Sequence, residues 1–291
     1  MRTLVVFTDF TLKAENTAFY SLTLASHLQC DVVLCHVLTE RPPQTKYSED
    51  DKNDRVSAFS EMADLMQRLR LCTVQSEPSL YRPAIEGCIK TGLLSTALEE
   101  IATTRNIIMA VISASRADKL TLLLLGSNTR QLIDRSQYPV LLIPYEARFV
   151  GFKNLAFATD LSDANLIALD NLCDIASYAD SDVVIAHVSN KGLIDYTSNT
   201  SLQNFFDRVG KQIPYPKKKY KVIKDTSVVH GLKRIPQKLN IDVLALVHKK
   251  RSFIQRLFKQ SITLALTNYP TKPVMIFPPQ NSQRLFLVNT H

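Results

Sequence analysis

At 291 residues the chain is longer than one ordinary domain and suits two of about 145 residues each. A hydrophobic fraction of 45% against 21% charged residues excludes an intrinsically disordered chain and predicts a real core. The net charge of +8 would draw polyanions, but the basic residues are scattered, clustering only at Lys217-Lys218-Lys219 and His248-Lys249-Lys250-Arg251 without alternating aromatics, which argues for a solvated basic face and against a nucleic-acid partner.

In chain order, Thr3–Phe7 is an apolar run of strand length, and Ala14–Leu28 sets Ala18, Leu22, Ala25 and Leu28 at helical spacing. Asp31–Val37 is a second β-branched run. Arg41–Asp54 is polar, holds Pro42 and Pro43 and predicts a loop, with helical periodicity following over Val56–Leu71. Cys72–Ser76 reads as a weaker strand, Ile89–Thr103 as a helix, Ile107–Ile112 as a strand, Ser127–Arg135 as a helix and Val140–Ile143 as a strand. Further strands fall near Leu155–Ala158, Val183–Val188, Lys219–Ile223, Val243–Val247 and Val274–Phe277, with helices between them. Short β-rich runs alternating with helices imply parallel strands joined by right-handed crossovers, hence a sheet covered on both faces. The expected fold class is α/β, two tandem doubly wound five-stranded parallel-sheet domains of Rossmann-like form, over 1–147 and 151–279, with a tail over 280–291.

The halves repeat one another. Leu4-Val5-Val6-Phe7-Thr8-Asp9-Phe10-Thr11 matches Leu155-Ala156-Phe157-Ala158-Thr159-Asp160-Leu161-Ser162, and Asp31–Val37 matches Asp182–Val188, both at a spacing of 151 residues. Pro139-Val140 and Pro144 recur as Pro273-Val274 and Pro278 at a spacing of 134, so the second copy is 17 residues shorter in its middle. Ligands of doubly wound sheets collect outside the carboxyl ends of the strands where strand order reverses. In each copy that is the turn after the first strand, at Thr8-Asp9 and Thr159-Asp160, and the loop after the fourth.

The five cysteines, Cys30, Cys35, Cys72, Cys88 and Cys173, are odd in number and form no C-x-x-C pair, which predicts reduced and mostly buried thiols. The opening Met1-Arg2-Thr3-Leu4 leads to an apolar stretch that breaks at Thr8-Asp9, unlike a secretory leader, and no apolar run approaches the roughly 18 residues of a membrane span. The expected compartment is the cytoplasm, with no membrane partner.

A first strand ending in Thr-Asp-Phe or Thr-Asp-Leu, a second ending in His-Val, and a closing Gly126-Ser127-Asn128-Thr129 followed by Tyr138-Pro139-Val140-Leu141-Leu142-Ile143-Pro144 resemble the universal stress protein family. The resemblance spans about Met1 to Pro279 and occurs twice. It implies the family's five-stranded fold, of the adenine nucleotide alpha hydrolase-like type. It also implies a pairing of last strands, here Val140–Ile143 with Val274–Phe277 inside one chain, and makes a homodimer a further expectation.

Many members of that family bind ATP with a Gly-x-x-Gly stretch, nine further residues and a final Gly-Ser or Gly-Thr. Glycines let backbone amides approach the phosphates or adopt positive φ. Here Ser113 and Arg116 stand at the first two glycine positions and only Gly126 remains; in the second copy Val247, Lys250 and Gln260 replace all three, with Ser261 retained. The resemblance therefore implies, at most, a site for ATP or another adenine nucleotide in the first copy, formed by Thr8, Asp9, Val37, Arg116, Gly126, Ser127 and Asn128. In it Asp9 takes an adenosine hydroxyl or amine, Val37 flanks the base, and the amides of Ser127 and Asn128 hold a phosphate.

Simpler roles compete for each residue. Asp9 and Asp160 sit where turn or helix-capping carboxylates sit, and Ser127 and Ser261 begin helices that they would cap in any case. His36 and His187 lack the converging donors a metal needs and read as satisfied strand-end histidines. The cluster from His248 to Arg251 either holds an anion or faces water. Seven glycines form no Walker loop, dinucleotide fingerprint or nucleophile elbow, and no carboxylate pair accompanies a nucleophile, so an enzyme is not expected. Two functional readings stand: a non-catalytic stress-response protein with a degenerate nucleotide pocket acting through protein partners, or an adenine-nucleotide switch with slow hydrolysis at most.

Overall fold

The computed structural model describes residues 1–39, 49–74, 80–114, 127–189, 200–248 and 272–278. The first half contains β1 (Arg2–Phe7), α1 (Leu12–Leu28), β2 (Asp31–Leu38), α2 (Glu49–Val74), β3 (Ile85–Thr91), α3 (Leu94–Ala102), β4 (Asn106–Ser113), α4 (Ser127–Arg135) and β5 (Val140–Ile143). The second contains β6 (Asn154–Thr159), α5 (Ala164–Tyr178), β7 (Asp182–Ser189), α6 (Thr200–Gln212), β8 (Lys218–Lys224), α7 (Val228–Leu239), β9 (Val243–Val247) and β10 (Val274–Phe277).

The ten strands among the described residues form one sheet in the order β3-β2-β1-β4-β5-β10-β9-β6-β7-β8. Within each half the pairings are parallel, and the halves join where β5 and β10 run antiparallel, Leu141 opposite Met275. Strand alternation sorts the core into two layers. Leu4 and Val6 point to the layer containing α1, α2, α5 and α6, where Met62, Leu65, Leu69, Phe205 and Val209 pack. Val5 and Phe7 point to the other, covered by α3, α4 and α7 through Leu98, Ile101, Leu132, Leu232 and Ile235. Near-continuous burial along β1, β4 and β9 is what a sheet covered on both faces requires.

The chain between the halves is held by polar and aromatic contacts. Asn16 Nδ2 donates to the carbonyls of Tyr145 and Ala147 at 3.1 and 3.0 Å. Phe149 packs edge-on against Tyr20, with centroids 5.2 Å apart, and the Arg2 guanidinium lies 3.3 Å from the centre of the Tyr178 ring. Gly151 has φ +141°, and just beyond it Asp242 accepts from the backbone amides of Lys153 and Asn154 at 2.8 and 2.9 Å.

Three expected stretches are corrected. Cys72–Val74 is the last turn of α2 and not the start of a strand, and α2 begins at Glu49, inside the stretch expected to be a loop. The third strand is Ile85–Thr91, which takes the first residues of the expected helix Ile89–Thr103 and leaves α3 only Leu94–Ala102. The tail over 280–291 lies outside the described residues.

Candidate functional site at the carboxyl ends of the first strands

The chain leaves β1 through a tight polar turn. Thr8 N–H donates to Cys35 O at 3.0 Å, and the buried Thr8 hydroxyl accepts from Phe10 N–H at 3.1 Å. Asp9 is exposed, and its Oδ1 accepts from both the amide and the hydroxyl of Thr11, at 3.1 and 2.5 Å. Thr11 in turn caps α1 by accepting from Ala14 N–H. These bonds hold Phe10 at φ 59°, a left-handed conformation that costs a bulky residue about 1–2 kcal/mol.

The second half builds the same turn. Leu161, at φ 66°, donates its amide to the Thr159 hydroxyl at 2.9 Å, and Asp160 Oδ1 accepts from Ser162 N–H at 3.2 Å and Asn165 Nδ2 at 2.9 Å. His36 and His187 complete the two turns. Each Nδ1–H donates to the carbonyl of the threonine opposite, Thr8 at 2.8 Å and Thr159 at 3.0 Å. A carbonyl can only accept, so Nδ1 carries a proton in both rings. Phe10 stacks on the His36 ring with centroids 4.5 Å apart.

Of the residues expected to form a nucleotide site, Thr8 and Asp9 meet at this turn. Val37 is half-buried near the end of β2, where it packs against the α3 layer. Ser127 and Asn128 lie exposed in the first turn of α4, the Ser127 hydroxyl 3.5 Å from Asn128 Oδ1. Arg116 and Gly126 lie outside the described residues, as do Lys250, Gln260 and Ser261. The positions of the first family glycine are strand in both halves. Ser113 pairs with Ile143 and Val247 with Phe277. The amides that follow them are committed inside the sheet, Ala114 N–H to Ile143 O at 2.8 Å and His248 N–H to Phe277 O at 2.8 Å.

His248 is 5% exposed and its Nε2–H donates to Asp134 Oδ1 of α4 at 2.8 Å, so this one member of the basic cluster links the two halves, while Lys249, Lys250 and Arg251 lie outside the described residues. Its partner is 114 residues away in sequence, and no local pattern signals the contact. A second polar cluster, absent from the sequence reading, sits where β8 meets α7. Asp225 accepts from His230 Nδ1 at 2.7 Å and Arg234 at 3.3 Å. Burial alone would raise its carboxyl, but His230, the Ser227 amide and Arg234 outweigh it and bring the group down to about 2. Among the described residues no group of three or more histidine, cysteine or acidic side chains is arranged to hold a metal ion.

Residues 1–144 match the model of the universal stress protein family. The first half of the chain belongs to that family. Solved universal stress proteins share the fold across nearly the whole length: one from Archaeoglobus fulgidus DSM 4304 superposes with a TM-score of 0.67 at 13% identity, covering 97% of each chain. A putative universal stress protein from Pseudomonas aeruginosa UCBPP-PA14 gives 0.54 at 15% identity, over 96% of this chain and 94% of that one. The cytoplasmic domain of a prokaryotic cation chloride cotransporter gives 0.51 at 9% identity, over 98% and 97%. No curated protein matches the chain. No helix among the described residues is long and apolar enough to cross a membrane.

Proposed function

We propose that the chain is a non-catalytic stress-response protein of the cytoplasm, acting through protein partners, a second copy among them, with a nucleotide pocket that has lost its phosphate-binding half. The observation that carries this reading is the strand geometry at the first glycine position of both halves. An amide already donating within a sheet has nothing left for an anion, and a Cβ at Ser113 or Val247 obstructs the close approach that glycine permits. The Asp9 carboxylate supports it too, since one oxygen is engaged twice by Thr11 and explained by the turn alone.

An adenine-nucleotide switch is the second reading, and one observation favours placing it in the first half. There Asp9 at the end of β1 and Ser127 and Asn128 at the start of α4 are all exposed. Calorimetric titration of ATP into the wild type and Asp9→Ala separates the two. The degenerate pocket predicts no micromolar binding to either protein. Micromolar binding that disappears in Asp9→Ala would overturn it.

A further inference from the structure

Two cysteines stand side by side at one edge of the sheet. Cys35 of β2 and Cys88 of β3 are register partners in adjacent parallel strands. Partners in a parallel ladder point to the same face, and both side chains join the layer beneath α3. Neighbouring strands lie about 4.8 Å apart, inside the roughly 4.4–6.8 Å range of Cα separations found in disulfides. Each thiol lies close enough to shift the protonation of the other.

The two differ in access. Cys35 is buried, whereas Cys88 is half-buried on the terminal strand of the sheet. The Cys88 side chain and burial push the Cys35 thiol up. The Cys35 side chain holds Cys88 below the usual thiol range despite partial burial, helped by the nearby Lys90 ammonium. Lys90 lies two residues along the same strand and is steadied by Glu100 at 2.8 Å. Cys30 and Cys173 share none of this, each buried and pushed up to about 12 by desolvation. Cys72 is exposed on α2.

We propose that Cys35 and Cys88 are a redox modification site, a cross-strand dithiol that hydrogen peroxide closes into a disulfide and that two equivalents of a small-molecule thiol, themselves oxidised to a disulfide, reopen. The Cys88 thiolate attacks one peroxide oxygen, the O–O bond breaks, and the departing hydroxide takes up a proton to leave as water, with a sulfenic acid on Cys88. Cys35 then gives up its proton, its sulfur attacks the Cys88 sulfur, and the S–O bond breaks with loss of a second water. Two thiols lose two electrons in total and the peroxide gains them. The product ties the edge strand β3 covalently to β2.

The test uses the folded full-length protein carrying Cys72→Ser, which removes the exposed thiol. After mild hydrogen peroxide treatment, the protein is unfolded, alkylated, and read by intact mass and peptide mapping. Two thiols should escape alkylation, the Cys35 and Cys88 peptides should be joined, and dithiothreitol should restore both. Adding Cys35→Ser should leave Cys88 as a sulfenic acid that dimedone traps, whereas adding Cys88→Ser should leave Cys35 unmodified. Full alkylation of every thiol after peroxide, or a crosslink through Cys30 or Cys173 in place of this pair, would refute the site. Absence of a trapped sulfenic acid in the Cys35→Ser protein would refute the order of attack. The mapping of the crosslink does not depend on either added variant folding.

Discussion

Strands β3 and β8 occupy equivalent places at opposite ends of the sheet, yet they guard their open edges differently. β8 is a lysine strand, with Lys218, Lys219, Lys221 and Lys224 along its length, Lys219 3.5 Å from Asp182, and Tyr220 packed on Phe206 at 4.2 Å between centroids. A row of cations repels a second copy of itself, a common protection for an exposed edge. β3 carries only Glu86 and Lys90 as charges and lies close beneath α2, with Gly87 facing Met62 and Met66. One edge is protected by charge and the other by cover, so the same position in a fold places quite different demands on sequence.

The helices that seat these outer strands sharpen the contrast, because each half relies on a glycine but sets it against a different neighbour. Gly231 of α7 brings the helix onto β7, where an added Cβ would lie 2.4 Å from Val188 Cγ1 and 3.2 Å from Asp225 Cβ. Valine is stiff at χ1 and cannot swing aside. Gly231→Ala should therefore lose about 1–3 kcal/mol in urea unfolding, even though alanine is the better helix former. A double-mutant cycle with Val188→Ala should show a favourable coupling between the two substitutions. A Gly231→Ala protein as stable as wild type would remove this half of the contrast.

At Gly87 the crowding atoms are Met62 Cγ and Met66 Sδ, each 2.7 Å from the added Cβ. Methionine has three rotatable bonds and a soft sulfur, so the clash can be relieved at the side-chain level. Gly87→Ala should cost under about 1 kcal/mol, less than Gly231→Ala by the same measurement. The reverse ranking would break the comparison.

A further expected effect is electrostatic and confined to the second half. α7 begins with a side-chain cap, Ser227 accepting from His230 N–H, while α3 begins at Leu93 with none. Asp225 is held near 2 against an ordinary value of 3.8, so the stability it contributes is complete above about pH 4 and is lost as pH falls through about 2. Asp225→Asn should flatten that acid limb in pH-dependent melting while leaving the shape of the curve above neutrality unchanged. An unaltered acid limb would show that the cluster contributes nothing through Asp225.

What could be read in the sequence follows the same division between buried and edge positions. β1, β4 and β9 are covered on both faces and announce themselves as near-continuous apolar runs. β3 does not: Ile-Glu-Gly-Cys-Ile-Lys-Thr mixes charge and glycine because an edge strand needs burial on little more than one side. The end of α2, Leu69-Arg70-Leu71-Cys72-Thr73-Val74, alternates like a strand although its helix continues through it. At the candidate site the turn chemistry of Thr8, Asp9 and Thr11 was legible because it is local. The burial of His248 was not, since a side chain 114 residues away decides it.

The antiparallel meeting of β5 and β10 has a consequence beyond joining two halves. A chain severed near Gly151 would present, on each fragment, four residues of apolar backbone with unused donors and acceptors. Each fragment would then seek a substitute strand, and another fragment of its own kind is the most abundant supply. Covalent continuity thus keeps a self-adhesive surface permanently occupied, and leaves each half free to accumulate changes that its neighbour does not have to copy.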